Sequence, residues 1–244
     1  MHLFNKYLKL INVEATSPTY EFFCKLVKAH LIKVPFENIS KLLFKKRGMN
    51  YIPDLDTFLV GIEKHNFGGT CYTNNYYFHL LLDHLGFDVK LCGADMKKPD
   101  VHLINIVTMD EKEFIVDVGY AAPFLQPLPR DLNTDCVIEF GNERYVVRPK
   151  DENGKTLVEQ YSGNELQHWY TAKPDARKIE EFRKVIEDSF ADYSTFMNAI
   201  RAVRFTANGS VSLRNYSLTE TNGKNVTTTI VNREDLPGVV NEKF

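Results

Sequence analysis

A chain of 244 residues is long enough for one or two domains with a sizeable core. Its 43% hydrophobic and 25% charged residues are the proportions of a globular protein, and a net charge of −2 with no basic block argues against nucleic-acid binding. No apolar run nears the roughly 18 residues of a membrane span, the N-terminus lacks a signal-peptide pattern, and the four separated cysteines, Cys24, Cys71, Cys92 and Cys136, read as free thiols. A cytoplasmic protein without a nucleic-acid or membrane partner is expected.

Residues 1–90 read mainly as helix. Ser17-Pro18-Thr19 opens one, with a cap residue and a proline at its first turn, and Phe22, Phe23, Leu26, Val27, His30 and Leu31 form its apolar stripe up to Pro35. A second helix is predicted over 56–64. A third starts near Cys71, carries Tyr76, Leu80, Leu81, Leu82 and Leu85, and stops at Gly86.

From residue 87 the pattern turns to strands. Segments 89–92, 101–107, 113–118, 137–140, 143–148 and 157–160 are rich in β-branched and apolar residues, with prolines at 123, 127 and 129 punctuating an extended connection. Segment 175–202 reads as helix or loop, and 203–231 as short strands. The order predicts an α+β fold divided into a helical part (1–86), an antiparallel-sheet part (87–174) and a small mixed lobe (175–244).

Cys71 is the most chemical position in this chain. It follows Gly68-Gly69-Thr70, where paired glycines permit a tight turn and close backbone approach. It also opens a helix, whose N-terminal N–H groups favour a thiolate. Cys24, Cys92 and Cys136 lie on a helix face or in and beside strands and read as core.

A base and its orienter are predicted from one hairpin. If 101–107 and 113–118 pair across an even loop around Asp110-Glu111, the paired residue numbers have an odd sum. His102 and Asp117 then share a face, opposite each other or one pair offset. A bulge or an odd loop would separate them. Aspartate suits the middle of Phe114-Ile115-Val116-Asp117-Val118 poorly, so a carboxylate buried there needs a partner, and His102 is the nearest. A nucleophile, a base and an orienting carboxylate follow. His65, just before the glycine pair, is the competing base. His79 and His84 are five apart, not one helical face, and with no third ligand nearby no metal site is predicted. His30 and His168 have no chemical context in the sequence.

Val34-Pro35-Phe36-Glu37-Asn38, Gly68-Gly69-Thr70-Cys71 with Asn74-Asn75, Leu85-Gly86-Phe87, His102 and Val116-Asp117-Val118-Gly119-Tyr120 together resemble the arylamine N-acetyltransferase family, in its order. A weaker echo runs through Phe205-Thr206, Gly209, Leu213 and Asn215. The resemblance implies an N-terminal helical bundle, a central antiparallel β-barrel-like domain and a C-terminal α/β lobe, with a papain-like Cys71–His102–Asp117 triad. It implies ping-pong transfer of acetyl from acetyl-CoA, as co-substrate and without a metal, to an arylamine or hydrazine. It further implies acceptor-pocket roles for Phe36, Tyr120 and Met96, contact of Tyr193 and Ser194 with CoA, and a monomer or homodimer.

This chain departs from the family pattern at three places. Phe67 stands where the family has an arginine before Gly-Gly, so Glu37 needs another cation, with Lys41, Lys45 and Lys64 as candidates, or a shifted pKa. Thr73 replaces a Glu or Gln, and Gly119-Tyr120-Ala121-Ala122 replaces a glycine-rich stretch. Two alternatives follow: a cysteine-triad hydrolase or amide-forming acyltransferase using another acyl donor, and a low-activity relative that binds small aromatic ligands.

Overall fold

The computed structural model describes residues 2–244. Its first part carries α1 (His2–Leu10), α2 (Tyr20–Lys33), a two-residue strand β1 (Phe36–Glu37), α3 (Ile39–Lys46), α4 (Leu55–His65) and α5 (Cys71–His84). The apolar stripe expected on α2 is buried against Tyr7, Leu59, Ile62, Phe78 and Leu81 from the neighbouring helices. The cap of α2 is Thr19, not Ser17: Thr19 Oγ1 accepts the Phe22 N–H at 3.2 Å. Pro18 disfavours helical geometry at Ser17, which moves the start two residues on and leaves the proline outside. At the other end Pro35 stops the helix in the same way.

An antiparallel eight-stranded sheet follows. It comprises β2 (Asp88–Asp95), β3 (His102–Met109), β4 (Lys112–Val116), β5 (Leu128–Pro129), β6 (Cys136–Phe140), β7 (Glu143–Val147), β8 (Thr156–Ser162) and β9 (Glu165–Ala176), in the order β5-β4-β3-β2-β9-β8-β7-β6. Ile104, Ile115, Leu128, Val147, Val158 and Tyr170 meet in one core, so the sheet curls around its own inner face, as the barrel expectation requires. The β3–β4 loop is the two-residue turn Asp110-Glu111, both at positive φ (47° and 63°), the geometry whose twist matches a hairpin.

The chain then forms a short 3₁₀ turn (Ile179–Phe182), α6 (Arg183–Asp188), α7 (Thr195–Asn198), β10 (Arg201–Phe205), β11 (Gly209–Arg214), β12 (Ser217–Asn222), β13 (Asn225–Ile230) and α8 (Leu236–Lys243). The last four strands form a second sheet whose edge is completed by β1, with Phe36 opposite Val203. That pairing brings the first helical segment and the last strands together beside Cys71. Among the described residues no helix is long and apolar enough to cross a membrane.

Candidate active site

Cys71 is the first residue of α5 and is buried. The backbone before it has no room for side chains. A Cβ on Gly68 would lie 1.9 Å from the Pro35 carbonyl oxygen, and Gly69 adopts φ +78° beneath the Thr73 hydroxyl. This turn is bonded on two sides. Glu37 Oε1 accepts the Gly69 N–H at 2.7 Å, and Asn74 Nδ2 donates to the Gly69 carbonyl at 3.0 Å.

His102, first in β3, and Asp117, just past β4, are also buried. The hairpin register pairs Asn105 with Val116 and Ile106 with Ile115, an odd sum, so residues 102 and 117 lie on one face, one pair offset. His102 Nε2 donates to Asp117 Oδ2 at 2.7 Å. The other ring nitrogen is left free of Asp117, and Cys71 is near enough to act on the imidazole. Burial works to lower the imidazole pKa, but the Asp117 charge and hydrogen bond, followed by those of Cys71, outweigh it and push it up to about 10.

Three bonds clamp α5 to the strand that starts at His102. Tyr72 Oη donates to the Val101 carbonyl at 3.0 Å, Asn75 Nδ2 to the Leu103 carbonyl at 2.6 Å, and Asn105 Nδ2 to the Asn75 carbonyl at 2.9 Å. Asn75 also donates to Asp117 Oδ1 at 2.8 Å and accepts the Val118 N–H at 2.9 Å. Sequence reasoning had Asn75 only as part of a motif. The signal for its role is a buried amide one helical turn after the cysteine, hence on the cysteine's face. Gly119 closes the site: a Cβ there would lie 2.6 Å from Cys71 Cα and 2.7 Å from Asn75 Nδ2. Gly119→Ala is therefore expected to push Cys71 away from His102. Alkylation of Cys71 by iodoacetamide should slow at least tenfold at neutral pH, and a wild-type rate would show that the site has slack.

The competing base, His65, is elsewhere: it is exposed and its ring lies against Phe67, 5.2 Å between centroids. The two histidines without predicted context both have one. His30 is fully buried between Tyr7 Oη (2.9 Å) and Asn74 Oδ1 (3.2 Å). His168 Nδ1 shares a hydrogen bond of 2.7 Å with Tyr120 Oη.

Among the described residues no cation pairs with Glu37. Its carboxylate accepts the Ser40 hydroxyl (2.6 Å), the Ser40 N–H (2.8 Å) and the Gly69 N–H, and burial raises its pKa. None of the three candidate lysines bonds it among the described residues. Lys45 pairs with Asp192. Lys41, 5% exposed, donates to Ser189 Oγ and sits 4.2 Å from the Phe190 ring centroid and 5.7 Å from that of Tyr72. Burial lowers its pKa to about 8, against an opposing pull from Cys71. A partly open pocket is lined by Lys41, Phe67, Gly69 and Thr70.

The predicted pocket residues fall on different elements. The Tyr120 ring is 5.6 Å from that of His102, edge-on to Tyr170 at 4.9 Å and stacked over Phe124 at 6.0 Å. Met96 follows β2 and packs against the same barrel core. Phe36, on β1, lies 5.8 Å from Phe196. Tyr193 is 77% exposed, and the Ser194 carbonyl accepts the Met197 N–H in capping α7; neither bonds the Cys71–His102–Asp117 line.

Residues 19–244 match the N-acetyltransferase family model. Proansamycin X synthase of Amycolatopsis mediterranei is 29% identical over 242 residues, covering 92% of this chain and 90% of that protein. The pineal gland arylamine N-acetyltransferase isozyme NAT-3 of Gallus gallus is 28% identical, covering 83% and 77%. The structure of Mycobacterium marinum arylamine N-acetyltransferase in complex with CoA superposes with a TM-score of 0.83 at 21% identity, covering 99% of this chain and 92% of that one, a shared fold.

Proposed function

Because this chain belongs to the arylamine N-acetyltransferase family of acyltransferases, we propose that it carries acetyl from acetyl-CoA to a small aromatic amine or hydrazine by a ping-pong route through Cys71. The observation that carries this reading is buried His102 bonded to Asp117 Oδ2, with buried Cys71 near enough to raise the imidazole pKa. The Cys71 thiolate attacks the thioester carbonyl, a new C–S bond forms, and the CoA sulfur leaves with the proton of the His102 imidazolium. The amine then attacks the Cys71 thioester. A C–N bond forms, the C–S bond breaks, and neutral His102 takes the amine proton, restoring the thiolate–imidazolium pair.

Asp117 keeps the imidazole in the useful tautomer, and first-turn N–H groups of α5 are the donors for the tetrahedral oxyanion. With Cys71 and Asp117 both negative and His102 positive, the line carries one excess negative charge, which the buried Lys41 ammonium offsets. Segment 1–86 thus supplies the nucleophile and 87–174 the base and its orienter, while Tyr120, Met96 and Phe36 line the acceptor side. Tyr193, well exposed, and Ser194 are assigned to the CoA side.

Intact-mass spectrometry after mixing with acetyl-CoA is expected to show one acetyl group on Cys71, removed by an added arylamine and never formed in Cys71→Ala. Release of CoA that survives Cys71→Ala would sink the mechanism. A second reading is amide formation from a different acyl donor through the same residues; one relative, Proansamycin X synthase, is a synthase by name and not an acetyltransferase. In that case acetyl-CoA leaves Cys71 unlabelled while another acyl thioester labels it.

A further inference from the structure

The last strand of the second sheet has no neighbour on its outer side. Among the described residues β13 pairs with β12 alone, in a register unbroken from Ser217 opposite Ile230 to Asn222 opposite Asn225. All six of its residues are exposed. Edge strands are usually blunted by a charged side chain, a proline or a bulge. Asn225-Val226-Thr227-Thr228-Thr229-Ile230 has none of these. It presents Val226 and Ile230 to solvent instead, 37% and 72% exposed.

The hairpin fixes which backbone groups face outward. Gly223-Lys224 is a two-residue loop with Gly223 at φ +59°, so Asn222 and Asn225 close it as a hydrogen-bonded pair. Bonded and unbonded pairs alternate along an antiparallel ladder, so Thr227 and Thr229 also turn their N–H and C=O toward β12. Beyond the strand the Val231 N–H donates to the Tyr216 carbonyl at 2.8 Å, in the same phase. Val226, Thr228 and Ile230 therefore aim their backbone groups at the open edge. Their side chains share the barrel side of the sheet, since a Cβ on Gly141, in the β6–β7 turn, would lie 3.5 Å from Val226 Cγ2.

These positions complement themselves. A second strand laid antiparallel along the edge, with Thr228 opposite Thr228, sets Val226 of each copy against Ile230 of the other. Each outward N–H then meets a carbonyl, and both exposed apolar residues are covered. No other register engages Val226, Thr228 and Ile230 at once. The operation is a two-fold axis through the Thr228 pair, the closed symmetry of a dimer, and the uncharged strands bring no like charges together. A foreign extended peptide would gain the backbone bonds without the matched side chains.

We propose that β13 is a self-pairing edge through which two copies of this chain join their five-stranded sheets into one continuous sheet. The inference is independent of the acyl-transfer chemistry. A contact six residues long falls short of the roughly 1,200 Å² of a standard interface, so the dimer is expected to be weak, with a dissociation constant on the order of micromolar.

Sedimentation equilibrium of the full chain from about 1 to about 200 µM spans that constant. The mass is expected to rise from that of a monomer toward twice that value. Thr228→Pro deletes both N–H groups of the central pair while leaving every bond to β12 in place, and is expected to weaken the dimer by about tenfold or more. Ile230→Lys, which puts a charge where the edge needs an apolar side chain, is expected to do the same. Circular dichroism checks that each variant folds, and Ile230→Lys carries the test alone if Thr228→Pro does not. A wild-type protein that keeps the monomer mass at every concentration overturns the proposal and leaves the edge to a foreign strand. A dimer whose constant moves less than twofold in the folded variants also overturns it, because the contact then lies elsewhere.

Discussion

Asp117→Asn is expected to lower the acetyl-transfer rate by about 10³- to 10⁴-fold while leaving the protein folded, the loss known for the same change in a serine triad. The reason lies in which oxygen does what. Asp117 Oδ1 accepts two N–H groups, from Asn75 Nδ2 at 2.8 Å and Gly119 at 3.0 Å, while Oδ2 accepts from His102. An asparagine keeps its oxygen toward the two donors, because turning its NH₂ there would set donor against donor. The NH₂ then faces His102 Nε2, which must become an acceptor, and the ring proton moves to the nitrogen that serves the Cys71 sulfur. With the carboxylate charge gone, burial decides the imidazole's state, and burial favours the neutral ring. Both effects remove the group that takes and returns the proton. Single-turnover acetylation of Cys71 checks the rate, and circular dichroism checks the fold. A variant within tenfold of wild type would show that Asp117 only fills space.

That detail was half legible in the residue order. The parity of the hairpin depends on local turn geometry alone, and Asp110-Glu111 supplies it, so the shared face of His102 and Asp117 could be read from one segment. A second carboxylate oxygen bonded by Asn75 could not, because its partner comes from a helix more than forty residues earlier. The same limit misdirected Lys41, named as a partner for Glu37 but placed in space against Ser189, Tyr72 and Phe190. Elements failed for related reasons. Strand β9 was not anticipated because its first five residues are all exposed and Pro174 interrupts its end. The register of β8 against β9 holds it in place instead. Strand β13, by contrast, falls within the short strands expected over 203–231, and its six exposed residues are held by backbone pairing with β12. Helix α3, only eight residues long, buries the polar Ser40 and Lys41 and starts at an Asn38 whose side chain is taken by Phe196, Ala199 and Arg201.

Two buried histidines of opposite shift are expected to give the protein a stability maximum near pH 6.5. His30 is neutral inside the helical core, its pKa lowered by burial to about 3 despite the Asn74 hydrogen bond. Below pH 6.5 the unfolded chain takes up a proton at residue 30 that the folded protein refuses, so stability is lost as pH falls from 6.5 toward 3. His102 runs the other way. Its folded pKa is raised to about 10, so its contribution is complete below 6.5 and is lost as pH climbs toward 10. Each proton is worth about 1.4 kcal/mol per pH unit, which makes the acid limb a matter of several kcal/mol. Urea midpoints at about pH 4, 6.5 and 9 measure the dome. In His30→Gln, which cannot titrate, the stability deficit relative to wild type is expected to shrink steadily as the pH is lowered from 6.5 to 4. Parallel curves for the two proteins would mean that His30 is already charged when folded. The consequence reaches the reactive cysteine, because His30 bonds Asn74 and Asn74 bonds the Gly69 carbonyl two residues before Cys71. Acid that charges residue 30 thus loosens the turn that aims the sulfur.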